Sequence, residues 1–89
     1  MKIKIIYKKL GREQAHGIAE SDGIIYLDPR LRGKKHLEIL LHELGHLLDA
    51  KDSEETVIKK SIAYTKILWQ EGYRRIDDTN DIPLQDGTN

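Results

Sequence analysis

Residues 42–46 read His42-Glu43-Leu44-Gly45-His46. On a helix, residues four apart sit one turn apart on the same side, so both imidazoles can reach one metal ion. Neutral imidazole is a good zinc ligand. Glu43 then projects beside the metal rather than onto it, where it can accept a proton from a metal-activated water. The chemistry this spacing predicts is metal-assisted hydrolysis. The bland alternative is a surface helix that happens to carry two His.

A catalytic zinc keeps three protein ligands and an open fourth position. The chain has no Cys, so the third ligand comes from Asp49, Asp52, Glu54, Glu55, His16 or His36. Asp49 shares the helix and lies about 10 Å along the axis from His42. His36 is six residues early and turned about 120° away. Asp52 falls in a turn, where it can cap rather than bind. Glu54 and Glu55 open a following helix that must pack near the histidines. Glu54 falls at the centre of that helix's apolar face and Glu55 at its edge. A carboxylate in a buried face needs a partner, and a metal is one. Glu54 is therefore favoured, with Glu55 as the alternative. Both also suit the helix dipole without any metal.

The elements that must position these groups are legible from periodicity. Alternating Lys and Ile over residues 2–7 predict a half-buried strand. Residues 14–19 give a weaker strand signal. Ser21-Asp22-Gly23 is a hairpin turn, and Ile24-Ile25-Tyr26-Leu27 is a strand rich in β-branched and aromatic residues. That strand is a candidate sheet edge for an extended peptide, or an internal strand. Leu37, Leu40, Leu41, Leu44, Leu47 and Leu48 repeat at helical spacing over residues 34–50. Their stripe centres near 200° when His42 is set at 0°, so the leucines can pack on a sheet while the histidines face the next helix. Ser53 is a candidate N-cap for a helix over 54–71, and Gly72 ends it. The apolar face of that helix is Val57, Ile58, Ser61, Ile62, Thr65, Leu68 and Trp69. Gly45 inside the first helix suggests a close approach by another segment. Strands grouped before helices predict an α+β fold, a small two- to three-stranded antiparallel sheet followed by two packed helices.

The chain has 89 residues, enough for one domain with a limited core. Residues 1–75 form the expected domain. Residues 76–89 carry four Asp and no base, which reads as an acidic flexible tail. The formal charge is zero overall but +5 over residues 1–35 and −4 over 76–89. The basic half, with Arg30, Arg32, Lys34 and Lys35 clustered before the first helix, raises a nucleic-acid reading. No aromatic stacking pattern accompanies the charge, which argues against it. No apolar run approaches a membrane span, and residues 1–6 lack a signal-peptide pattern, so a cytoplasmic protein is expected.

The pentad, with a strand before it and a Glu opening the next helix, resembles the zincin-type metallopeptidases. Among them the chain is similar to small phage and bacterial peptidases near the ImmA/IrrE and SprT-like groups. The run from Ile25 to Gly33, then Leu40-Leu41-His42-Glu43, is similar to their strand-loop-helix entry. So is Ser53-Glu54-Glu55 leading to Leu68-Trp69-Gln70-Glu71-Gly72-Tyr73-Arg74. The resemblance implies a minimal zincin-like core. It implies one Zn²⁺ per chain on His42, His46 and Glu54, with Glu43 as general base and a peptide or protein as substrate. An inactive, zinc-stabilised binding module is the alternative. Oxyanion stabilisation beyond the metal would fall to His16, Tyr26 or Tyr64.

Overall fold

The structure is a computed structural model that describes residues 2–11 and 16–76. The expected acidic tail, apart from its first residue, lies outside the described residues. Three strands come first, β1 (Lys4–Tyr7), β2 (Gly17–Ala19) and β3 (Ile24–Leu27), then helices α1 (Gly33–Leu48) and α2 (Glu54–Gln70). The α+β expectation holds. Among the described residues no helix is long and apolar enough to cross a membrane.

The sheet is mixed rather than purely antiparallel. Its order is β1-β3-β2. β2 and β3 pair antiparallel, with Gly17 opposite Leu27 and Ala19 opposite Ile25. The turn at Ser21-Asp22-Gly23 dictates this, with Gly23 at φ 98°. β1 pairs parallel to β3, Lys4 opposite Ile24 through Tyr7 opposite Leu27. β2, the next strand in sequence, stands at the far edge from β1, so the hairpin returns β3 into the middle. Ile24–Leu27 is therefore the central strand and not an edge. Ile25 and Leu27 are fully buried and form the core with Leu31 and Leu47.

Asp28 ends β3 and shapes the entry to α1. Its Oδ1 accepts from the Arg30 backbone N–H at 2.9 Å, and the Leu31 N–H donates to the Asp28 carbonyl at 3.1 Å. The α1 start has no side-chain cap and no acid in its first turn. α2 is better finished. Ser53 Oγ accepts from the Thr56 N–H at 3.1 Å. At the other end Gly72 takes φ 91°, with Gly72 N–H bonded to Trp69 and Tyr73 N–H to Leu68, the paired bonds that satisfy the last carbonyls of a helix.

α1 lies between the sheet and α2, and α2 packs along α1 with no comparable contact to the sheet. The leucine stripe does not meet the sheet squarely. The face turned to β2 and β3 carries Ile39, Glu43 and Leu47, with His36 beside them, a rotation of roughly 100° from the stripe. Leu40 and Leu44 pack partly against the core, and Leu48 is 61% exposed. On α2 the buried ridge is Val57, Ser61 and Thr65, while Ile58 and Ile62 of the expected apolar face stay exposed. One neighbour buries one ridge. Trp69 is half-buried, with Arg74 stacked over its ring at 3.5 Å.

Candidate metal centre

His42 and His46 lie on the rim of α1 between its sheet-facing and α2-facing sides. Their rings meet edge to face, with centroids 4.7 Å apart, and their Nε2 atoms stand 3.1 Å apart. Glu54, in the first turn of α2, reaches across. Its Oε2 is 3.3 Å from His42 Nε2 and its Oε1 is 2.9 Å from His46 Nε2. The three residues form a group that could hold a metal ion. The spacing fits one. Tetrahedral bonds of about 2.0–2.1 Å place ligand atoms roughly 3.3 Å apart, close to the separation of the two imidazole nitrogens and to the distance from each to its nearer Glu54 oxygen.

Glu54 does not sit in a buried face as its helical position suggests. Its side chain is 62% exposed, because the first turn of α2 overhangs the rim of α1. The helices come close enough for this reach at Gly45. A Cβ there would stand 3.1 Å from Val57 Cγ1. The close approach signalled by Gly45 is thus the Val57 side chain of α2, three residues beyond Glu54.

Glu43 is buried beneath β2, and burial pushes its carboxyl pKa up. His42 and His46 oppose that rise, and Glu54 adds to it. Gly17 makes room for this carboxylate. A Cβ on Gly17 would fall 2.9 Å from Ile39 Cγ2 and 3.0 Å from Glu43 Oε2. Sequence reasoning passed over Gly17, although glycine inside a strand signals a close approach by another group.

The remaining candidates go elsewhere. Asp52 pairs with Lys60 at 2.6 Å, and Glu55 with Lys59 at 3.5 Å in solvent. Asp49 is the C-cap of α1. His36 is buried and hydrogen-bonds the Tyr7 hydroxyl at 2.8 Å, its ring stacked on the tyrosine's. Burial lowers its pKa first, with Arg75 and Arg32 adding to the effect. Tyr26 carries Lys8 over its ring, and Tyr64 is half exposed about 15 Å along α2 from Glu54. His16 lines a separate cavity with Asp28, Arg30, Leu31, Arg32 and Lys35.

No protein-family model matches the chain, and no curated protein or solved structure is significantly similar to it. The candidate metal group therefore stands on its own geometry.

Proposed function

We propose that the chain is a zinc-dependent peptidase whose ion is held by His42, His46 and Glu54. The observation that carries this reading is the convergence of three side chains from two helices, the two imidazoles 3.1 Å apart and each 2.9–3.3 Å from one of the two Glu54 oxygens, with the buried Glu43 next to His42. Two imidazoles and one carboxylate are the donor set of hydrolytic zinc, and three ligands leave a position open. Bound zinc supplies a Lewis acid that polarises a carbonyl and makes water a nucleophile near neutral pH. Glu43 takes a proton from the attacking water onto a carboxylate oxygen and then gives it to the departing amine. Its burial under β2 favours proton uptake, because desolvation disfavours the charged carboxylate. β2 is an outer strand of the sheet. An extended peptide added to its free side would lie along the same face of α1 as the histidines.

The test is zinc content and peptide cleavage for wild type, His42→Ala and Glu43→Gln. About one zinc per chain is expected, lost in His42→Ala. Glu43→Gln should keep the zinc and lose at least about 100-fold in cleavage rate. A chain without stoichiometric zinc, or a Glu43→Gln protein as active as wild type, would overturn the reading.

A second reading has its own support. A metal held by His42, His46 and Glu54 would tie α2 to α1, and among the described elements α1 is the one against which α2 packs substantially. A zinc that serves only as this clamp would make the chain a binding module. Stoichiometric zinc, cooperative unfolding by a chelator and no cleavage of any peptide would favour it.

A further inference from the structure

A second concave site lies beside the start of α1. It is a cavity of about 360 Å³ lined by His16, Asp28, Arg30, Leu31, Arg32 and Lys35. Its charge is unbalanced. Asp28 is 1% exposed, and Arg30 occupies it fully. Oδ1 accepts from Arg30 Nε at 2.8 Å, and Oδ2 from Nη2 at 2.6 Å. That pair is internally neutral. Arg32 is fixed by its Nη1, which donates to the Pro29 and Leu31 carbonyls at 2.7 and 2.9 Å. Neither Arg32 nor Lys35 forms an ion pair among the described residues. Among the described residues, two net cations therefore face a cavity whose one carboxylate is already neutralised. The adjoining helix start offers uncapped N–H groups and no acid. Such a site favours an anion, and Arg32 presents a planar donor suited to a carboxylate.

The cavity also stands in a defined relation to the metal group. Lys35 precedes His42 by seven residues, so it lies about 20° away on the same face of α1 and about 10 Å along the axis. β2 links the two places. His16 lines the cavity, and Gly17, the next residue, lies against Ile39 and Glu43. β2 therefore runs in the same sense as α1, from the cavity toward the histidines. A peptide pairing antiparallel with β2 runs the other way. Its C-terminal side points at the cavity, and about 10 Å is three residues of extended chain.

We propose that this cavity is a substrate subsite that binds a carboxylate about three residues to the C-terminal side of the hydrolysed bond. This rests on the peptidase reading. The substrate class is a peptide with either an acidic side chain at that position or a free terminal carboxylate there.

The test has two parts. In the first, zinc-treated, isotope-labelled protein is titrated with three acetylated probes, followed by amide NMR. The probes are tetraalanine with a free carboxylate, tetraalanine amide, and an Ala-Ala-Ala-Asp amide. Shifts at residues 30–35 with the first or third probe, absent with the neutral amide, are expected, and they distinguish the two sources of carboxylate. Lys35→Glu should abolish them. That variant places an acid in the first turn of α1, where the helix dipole favours it, so the fold is kept. Equal shifts with the neutral probe, or none with any, would overturn the subsite. In the second part a mixed peptide library is digested and the product ends are read by mass spectrometry. An enrichment of about fivefold for a carboxylate at the third residue after the cut is expected, falling to none in Lys35→Glu. Cleavage without enrichment would overturn the subsite and leave the peptidase. No cleavage, with carboxylate-dependent shifts retained, would overturn the peptidase and leave a carboxylate site at α1.

Discussion

A methyl group at residue 17 has no space. It would press on Ile39 Cγ2 and Glu43 Oε2 at 2.9 and 3.0 Å, and the β2 backbone or the Glu43 side chain would have to move. Gly17→Ala should cost about 1–3 kcal/mol of stability. Because the atoms an added methyl would meet belong to Ile39 and Glu43 rather than to His42, His46 or Glu54, the proposed zinc stoichiometry should be kept while cleavage falls. Titration calorimetry and a rate assay on one preparation would check both. Asp28 gives a prediction of a different kind. The Arg30 side chain, then its backbone N–H, hold the Asp28 carboxyl well below the usual carboxylate range. Its stabilising contribution is thus present above the unfolded value of about 4. It fades as pH falls below that value toward the lower folded one. Asp28→Asn should be less stable than wild type at pH 7, with a gap that narrows as pH drops from 4 to 2, measured by denaturant unfolding across that range. At this scale the pairing of His42 with His46 was legible because the i, i+4 spacing is intrinsic to a helix, whereas the phase that put Glu54 in a buried face did not foresee its exposed reach across the rim of α1. The occupation of Asp28 by Arg30 was not legible, since a loop has no period to read.

Between elements, the decisive contact is α1 against α2 at Gly45. Alanine there gains about 1 kcal/mol in helix propensity. It also sets a Cβ 3.1 Å from Val57 Cγ1. Val57 must then give by a few tenths of an ångström, and a shift of α2 that provides this carries Glu54 with it. Gly45→Ala should therefore weaken zinc binding by about tenfold, equivalent to about 1.4 kcal/mol, with little change in helix content. The double variant Gly45→Ala/Val57→Ala should recover most of that affinity. No recovery would mean that Gly45 acts through something other than this contact. The order of elements was readable in the chain, and the hairpin at Asp22-Gly23 fixed one strand pair. The parallel pairing of β1 was not readable, because Lys-Ile alternation specifies a half-buried strand and not its partner or direction. The rotation of α1 escaped for a related reason. Seven of its positions from Leu37 to Leu48 are Leu or Ile, so the apolar arc is wider than the sheet can cover. The small β2, with Gly17 at its start, selects the side that admits Glu43.

For the whole molecule, the arrangement is a chain of dependencies. The sheet supports α1, and α1 supports α2. The exposed Ile58, Ile62 and Ile67 show how little else holds the second helix. Removing the metal should be felt there first. Hydrogen exchange with and without a chelator should show α2 amides losing protection by about tenfold or more, while Ile25 and Leu27 change less. Uniform loss across both helices and the sheet would mean that the metal supports the entire fold at once.

The three residues that could hold a metal ion lie within residues 42–54, a short stretch joined by one turn. Closing so short a loop removes little freedom from the unfolded chain. The same brevity lets an unfolded chain gather its two imidazoles and one carboxylate around an ion. Any affinity of that state for zinc subtracts from the stabilisation the folded state gains. Saturating zinc should consequently raise the melting temperature by less than the folded protein's own affinity implies. During folding, the same local capture would let an ion fasten the helical hairpin before the sheet has assembled.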